Sequence, residues 1–257
     1  MPANLTLSVG TLFSFLLVLA RVSGALVFVP MPGLKAAPEP VRVALALGFT
    51  MALFGRWPAV DPSAITVGVL AGWVLAEAAL GLAIGVSIAI VLETFNLAAQ
   101  VLGLQAGYAY ASTIDPNSEA DSGILLVIAQ LMAGMLFFAL GLDREMLRLF
   151  ALSLEKVPVG TYVFGPSAAE ALIRLGAVLF STGVRLALPV VALLVMVDVA
   201  LALMGRLNSQ LQLLSLAFPA KMLTALLMLS WMAALFPRIM RELSGQAWTT
   251  AHRMLGI

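Results

Sequence analysis

Six long apolar segments, with proline-containing breaks at 29–41, 54–64 and 155–167, constrain the fold of this chain more than any other feature. They fall at 9–29, 41–54, 64–92, 122–142, 168–205 and 213–236. Only 11% of the residues are charged, whereas a soluble domain carries about 25%. The pattern therefore indicates an integral membrane protein built from helices throughout.

Two segments do not have the length of a single membrane span, which needs about 20 apolar residues. Segment 41–54 is too short to cross alone, so we interpret it as a half-span or the arm of a hairpin. Segment 168–205 would reach about 57 Å as one helix, and we expect Pro189 near its middle to kink it. The expected fold class is all-α, with helical hairpins and broken or kinked helices in one domain, 1–257.

Composition excludes several kinds of site. The chain has no cysteine and one histidine, His252, so disulfides, cysteine metal sites and histidine triads are not expected. The net charge is +1 and there is no basic run, so nothing indicates nucleic-acid binding. No phosphate-binding glycine loop or nucleophile motif is present, so we expect neither an enzyme nor a cofactor or metal. The N-terminus lacks a basic region before its first apolar run, so a cleaved signal peptide is not expected.

Several charged residues lie inside the apolar segments, where a charge is costly unless it faces protein or water. These residues are Arg21, Glu77, Arg174, Arg185, Asp198 and Arg206. They could form an ion or proton relay, or they could be interior pairing charges of a helical assembly. Basic residues outnumber acidic ones here, whereas a cation relay would favour carboxylates, so we favour structural pairing.

Glycines recur at four-residue spacing in the same part of the chain. The pairs are Gly68 and Gly72, Gly81 and Gly85, and Gly103 and Gly107. Small residues at this spacing let two helix backbones approach closely in a membrane. We therefore expect region 68–107 to form helix contacts, either within the chain or with partners.

The stretch GLQAGYAYASTIDPNSEADSG (103–123) is the exception in an otherwise apolar chain. Its acidic residues Asp115, Glu119 and Asp121 lack the ligand spacing of a calcium-binding loop. We interpret them instead as a solvated acidic loop.

Blocks of sequence in a fixed order, from about residue 20 to residue 240, carry a family resemblance. They are Arg21 with PMPG…PEPVRVALAL (30–47), EAALGLAIGVSIAIVLETFNLAAQVLGLQAGYAYASTIDP (77–116), SLEKVPVG (153–160), RLALPVVALLVMVDVAL (185–201) and GRLNSQLQLLSLAFPAK (205–221). This series resembles the export-gate family of type III secretion that includes the flagellar protein FliR and its injectisome counterpart.

The chain departs from the family pattern in two places. Ser209, Gln210 and Gln212 stand where the family often has Pro-Gln-x-Asn. GLDREML (141–147) stands where the family often has histidines. The family resemblance holds despite these departures, and of the residues named here the implied roles given below include only Gln210.

The resemblance implies a subunit of an export gate, without enzymatic activity, in the bacterial inner membrane at the flagellar basal body. The implied partners are FliP-like and FliQ-like gate subunits, FlhB-like and FlhA-like export components, membrane lipids, and unfolded flagellar proteins as passengers. It also implies a fusion of the partners' folds, with a FliP-like part at about 1–165 and a FliQ-like hairpin at about 166–257.

In this family the segment matching 103–123 projects into the conduit, which implies a plug. The plug residues implied for this chain are Gly103, Gln105, Gly107, Tyr108, Tyr110, Asp115 and Pro116. Structural or interfacial polar roles are implied for Arg21, Glu77, Arg185, Asp198, Arg206, Gln210 and Lys221. Two alternatives stay open: an injectisome export gate, and a stand-alone secondary transporter.

Overall fold

A computed structural model describes residues 8–28, 38–61, 65–108, 124–162, 165–207 and 213–255, and these ranges contain helices but no β-strand. The helices within them are α1 (Val9–Leu26), α2 (Glu39–Ala52), α3 (Val67–Ala106), α4 (Ile124–Ala139), α5 (Leu142–Lys156), α6 (Pro166–Leu207), α7 (Leu213–Ala233) and α8 (Phe236–Leu255). A short 3-10 helix, Phe54–Arg56, follows α2.

Three of the described helices, α1, α3 and α6, are long and apolar enough to cross a membrane. The number of candidate spans rises to 5 if two bent helix pairs each count as one span. These pairs are α4 with α5, and α7 with α8. The long apolar helices and bent pairs confirm the predicted class, an all-α membrane protein.

Helix α3 is longer than its apolar segment predicts, whereas α6 matches its segment to within two residues at each end. Helix α3 has 40 residues and α6 has 42, or about 60 and 63 Å at 1.5 Å per residue. Helix α3 continues past residue 92 because its polar residues there alternate with buried Phe95, Ala99 and Leu102. Helix α6 continues through Pro189 to Leu207 as one element.

The loop predicted to begin at residue 103 begins at Gly107 instead, because α3 continues to Ala106. Gly107 has φ +86, a conformation that glycine adopts without steric cost. The amide of Tyr108 donates to the carbonyl of Gly103 (3.0 Å), and the amide of Gly107 donates to that of Leu104 (3.2 Å). These two bonds form a Schellman motif, which satisfies carbonyls at the end of a helix.

The chain folds into two compact units, each made of separate stretches of sequence. The first comprises 1–90, 141–175 and 244–257, and the second 91–140 and 176–243. The core of the first includes Leu17, Leu80, Ile84 and Met146, and that of the second includes Phe95, Phe137, Leu194 and Met240. The predicted family-related division near residue 165 stays a prediction.

In the first unit, α1 and α3 touch backbone to backbone. A Cβ atom added at Gly81 would overlap the carbonyl of Arg21, and one added at Gly85 would overlap that of Ala25. By contrast, Gly68 and Gly72 have nothing within 4 Å of such an atom. Among the glycines of α3 that were predicted to pack, only Gly81 and Gly85 therefore lie at a helix contact within the described chain.

We expect Gly81→Ala to destabilise the protein by about 1–3 kcal/mol, because the added methyl group would push α1 away from α3. The matched control is Gly72→Ala on the same helix, which should be neutral or stabilise by up to about 1 kcal/mol through helix propensity. The unfolding temperature of both variants is measured in detergent as the temperature at which monodisperse protein is lost. Equal unfolding temperatures for the two variants would contradict the close contact.

Candidate functional site

The most buried charged group in the first unit is an ion pair between α1 and α3. Arg21 Nε lies 2.5 Å from Glu77 Oε2, and the two side chains are 1% and 0% exposed. The contact at Gly81, one turn after Glu77, holds the two helices close enough for this pair to form without intervening space.

The remaining donors and acceptors of this pair are also satisfied. Arg21 Nη1 donates to Ser153 Oγ and Nη2 donates to the carbonyl of Val157, both at 3.2 Å. The amide of Gly160 donates to Glu77 Oε1 at 3.1 Å. A buried pair is tolerated when extra hydrogen bonds complete it. The network therefore joins α1, α3, the end of α5 and the turn that follows.

The chemistry of this network suits a structural role. All three guanidinium nitrogens of Arg21 donate hydrogen bonds to fixed acceptors. Both oxygens of Glu77 accept hydrogen bonds from fixed donors. The geometry favours the pairing interpretation of these two charges over a proton relay.

A second polar cluster lies in the second unit and joins α3, α6 and α7. Lys221 Nζ lies 2.9 Å from Asp198 Oδ1 and 3.0 Å from Oδ2. Gln105 Nε2 donates to Asp198 Oδ2 at 3.3 Å. The side chain of Lys221 is 15% exposed and that of Asp198 is 43% exposed, so solvent weakens this pair relative to the buried one.

The two residues after α3 are held against α7 next to this cluster. The hydroxyl of Tyr108 donates to the carbonyl of Met222 at 3.1 Å, and burial raises the pKa of that phenol. The phenol therefore stays protonated and can donate. The ring of Phe218 lies so close to Gly107 that an added Cβ would be 3.0 Å from it. Gly107 and Tyr108 are thus both held against α7.

The other predicted residues are distributed as follows. Arg185 is exposed on α6 and Arg206 is exposed near its end. Arg174 pairs with Glu170 one turn away on the same helix (2.6 Å). Tyr110, Asp115, Pro116 and Gln210 lie outside the described residues, so their roles stay predictions.

Sequence reasoning missed three contributors to the buried network. Ser153, Val157 and Gly160 all belong to SLEKVPVG, a motif to which we assigned no role. The amphipathic pattern of α5 could have identified Ser153, because it is a lone hydroxyl on the face that buries Met146 and Phe150. The bonds from Val157 and Gly160 use backbone atoms, which no side-chain pattern reveals.

Comparison with known proteins identifies the family of the chain. Residues 12–247 match the family of bacterial export proteins, family 1. The chain belongs to this family. The match covers both polar clusters and nearly the whole chain, and it confirms the resemblance read from the sequence blocks.

Curated relatives with the name flagellar biosynthetic protein FliR are similar to this chain over most of its length. The protein of Caulobacter vibrioides is 30% identical over 244 residues, which cover 93% of this chain and 92% of the relative. The protein of Escherichia coli K12 is 29% identical over 222 residues, which cover 86% of this chain and 83% of the relative. That of Bacillus subtilis is 25% identical over 224 residues, or 84% of each chain.

We expect Arg21→Gln to destabilise the protein by about 3–5 kcal/mol, because it leaves Glu77 as an uncompensated buried charge. The control is Arg56→Gln, which removes the exposed ion pair between Arg56 and Glu155 and should cost no more than about 1 kcal/mol. Thermal unfolding of both variants in the same detergent measures the difference. If both variants unfold at the wild-type temperature, the buried pair does not stabilise the unit.

Proposed function

We propose that this chain is a non-enzymatic subunit of the export gate in a flagellar type III secretion apparatus of the bacterial inner membrane. The observation that carries the proposal is the family match over residues 12–247, together with relatives named flagellar biosynthetic protein FliR. Candidate spanning helices support a membrane location.

The proposal includes assembly with FliP-like and FliQ-like subunits, next to FlhB-like and FlhA-like components, with unfolded flagellar proteins as passengers. Two features of the described chain support an assembly. Helices α3 and α6 are about twice as long as the hydrocarbon core, which is about 30 Å thick. The charges at Arg21, Glu77, Asp198 and Lys221 are used in ion pairs, as in a structural subunit.

We further propose that segment 103–123 helps to plug the conduit. The support comes from residues 103–108, the part of this segment that the structure describes. Gly107 turns the chain out of α3, and Tyr108 is hydrogen-bonded to Met222 on α7. The ion pair of Asp198 with Lys221 and the bond from Gln105 hold α3, α6 and α7 together at that point. Such an anchor would let the following residues be displaced without disturbing the helices.

The assembly is tested by purifying the tagged chain from native membranes in a gentle detergent and identifying the proteins that co-purify. We expect FliP-like and FliQ-like subunits in a fixed ratio to the tagged chain. An unrelated tagged membrane protein at the same expression level controls for non-specific recovery. Isolation of the chain alone, in membranes that contain those subunits, would contradict the gate and favour the stand-alone transporter.

The plug is tested by deleting residues 108–118 and measuring small-ion leakage through the assembled gate. We expect leakage to rise at least about tenfold, since the deletion removes both bulk and the anchor at Tyr108. A variant with Ala and Gly in place of residues 109–118 keeps the segment's length and the anchor. Its leakage should lie between those of the wild type and the deletion. Unchanged leakage in the deletion variant, with the assembly intact, rules out the plug.

A further inference from the structure

One face of α6 exposes a continuous row of apolar side chains. The residues recur at three- and four-residue intervals, so they lie on one side of the helix. We call them the α6 stripe: Phe180, Val184, Leu188, Ala192, Val195, Val199 and Leu203. Apart from Ala192, each is between 42% and 64% exposed. The stripe continues for about 35 Å along the helix axis.

Arg185 lies beside this stripe, three residues before Leu188 and seven before Ala192. It is exposed and has no ion-pair partner within the described ranges of the chain. Two other pairs of charges inside the apolar helices are formed within the chain: Arg21 with Glu77, and Asp198 with Lys221. Among the described residues Arg185 is therefore a cation without a counter-charge, set among exposed apolar groups.

Lipid alone does not suit the position of α6 that buries its whole stripe. The 20 residues from 186 to 205 would cross a core of about 30 Å and place Arg185 at its boundary. Phe180 and Val184 would then be apolar groups exposed beyond the hydrocarbon. If the span includes those residues, Arg185 lies in the hydrocarbon, where a charge faces protein or water. The second position keeps the whole α6 stripe out of water and calls for protein cover over this part of α6.

We propose that the α6 stripe is covered by a helix of another membrane subunit, which places an Asp or Glu carboxylate against Arg185. A helix that packs on Val184 and Leu188 takes Arg185 out of water, and a buried guanidinium needs a paired acceptor. A carboxylate meets that need with two oxygens in the geometry of the guanidinium fork. This inference rests on the proposed assembly and specifies one of its contacts.

The first experiment measures how much of the partner subunits co-purifies with the tagged full-length chain. Arg185→Gln removes the charge, and we expect it to lower the yield of at least one subunit by about tenfold or more, because it leaves a buried carboxylate unpaired. Arg174→Gln is the matched control, since Arg174 is an exposed arginine on the same helix whose partner, Glu170, is intrahelical. The control should stay within about twofold of wild type.

The outcomes separate this inference from the proposed function. If the wild-type chain recovers no partner subunit, the proposed assembly fails. If wild type and Arg185→Gln recover the same amounts, the assembly stands and this inference is wrong. The amount of inserted, monodisperse chain should be the same for both variants, since Arg185 makes no ion pair within the described chain.

The second experiment does not depend on a variant at Arg185. A photoreactive residue placed at Leu188 should cross-link to a helix of another subunit within a turn or two of an Asp or Glu. Exchanging the charges, with Arg185→Glu in this chain and that carboxylate replaced by Arg in the partner, should restore the yield. Cross-links to phospholipid alone, or to a protein segment without a nearby carboxylate, would overturn the proposal.

Discussion

The backbone contact between α1 and α3 is the constraint on which the first unit depends. At Gly81 and Gly85 the carbonyls of α1 occupy the space that side chains would fill. This contact brings Arg21 within reach of Glu77 in a volume with no room for solvent. Because burying a charge is costly unless it is paired and hydrogen-bonded, the bonds from Ser153, Val157 and Gly160 are required rather than incidental. Groups in and just after the last turn of α5 thus complete the contact between α1 and α3.

The polar cluster of the second unit has a different physical character. Asp198 and Lys221 are partly exposed, so water competes for both charges and the pair contributes less to stability than a buried one. The cluster holds three helices at the point where the chain leaves α3.

The exposed surface of α6 shows that the folded chain leaves apolar surface uncovered. In the most apolar 18-residue stretch of this helix, only 22% is buried within the described chain, compared with 56% for the corresponding stretch of α1 and of α3. A soluble monomer rarely leaves a continuous apolar face of this size open. In a membrane protein, lipid covers part of such a face. The length of α6 and the position of Arg185 are what favour a second protein for the rest.

The sequence by itself determined the class of the protein and its family, and it indicated a set of glycines that includes the pair at the contact between α1 and α3. Apolar segments of spanning length with few charges allow little besides packed helices in a membrane. The ends of the helices were unequally predictable: α6 matches its apolar segment to within two residues at each end, whereas α3 passes residue 92, where burial of Phe95, Ala99 and Leu102 outweighs the local polar residues. Gly68 and Gly72 have the same spacing as Gly81 and Gly85, yet only the latter meet α1.

Only the tertiary structure decided which charge pairs with which. Arg21 and Glu77 are separated by 56 residues, and Gln105 and Asp198 by 93. No local pattern links such positions, and the bonds from Val157 and Gly160 use backbone atoms common to every residue. In helices that are apolar on all sides, hydrophobic periodicity does not identify the face that meets a neighbour. Pairing therefore follows from how the helices pack, which the order of residues along one helix does not specify.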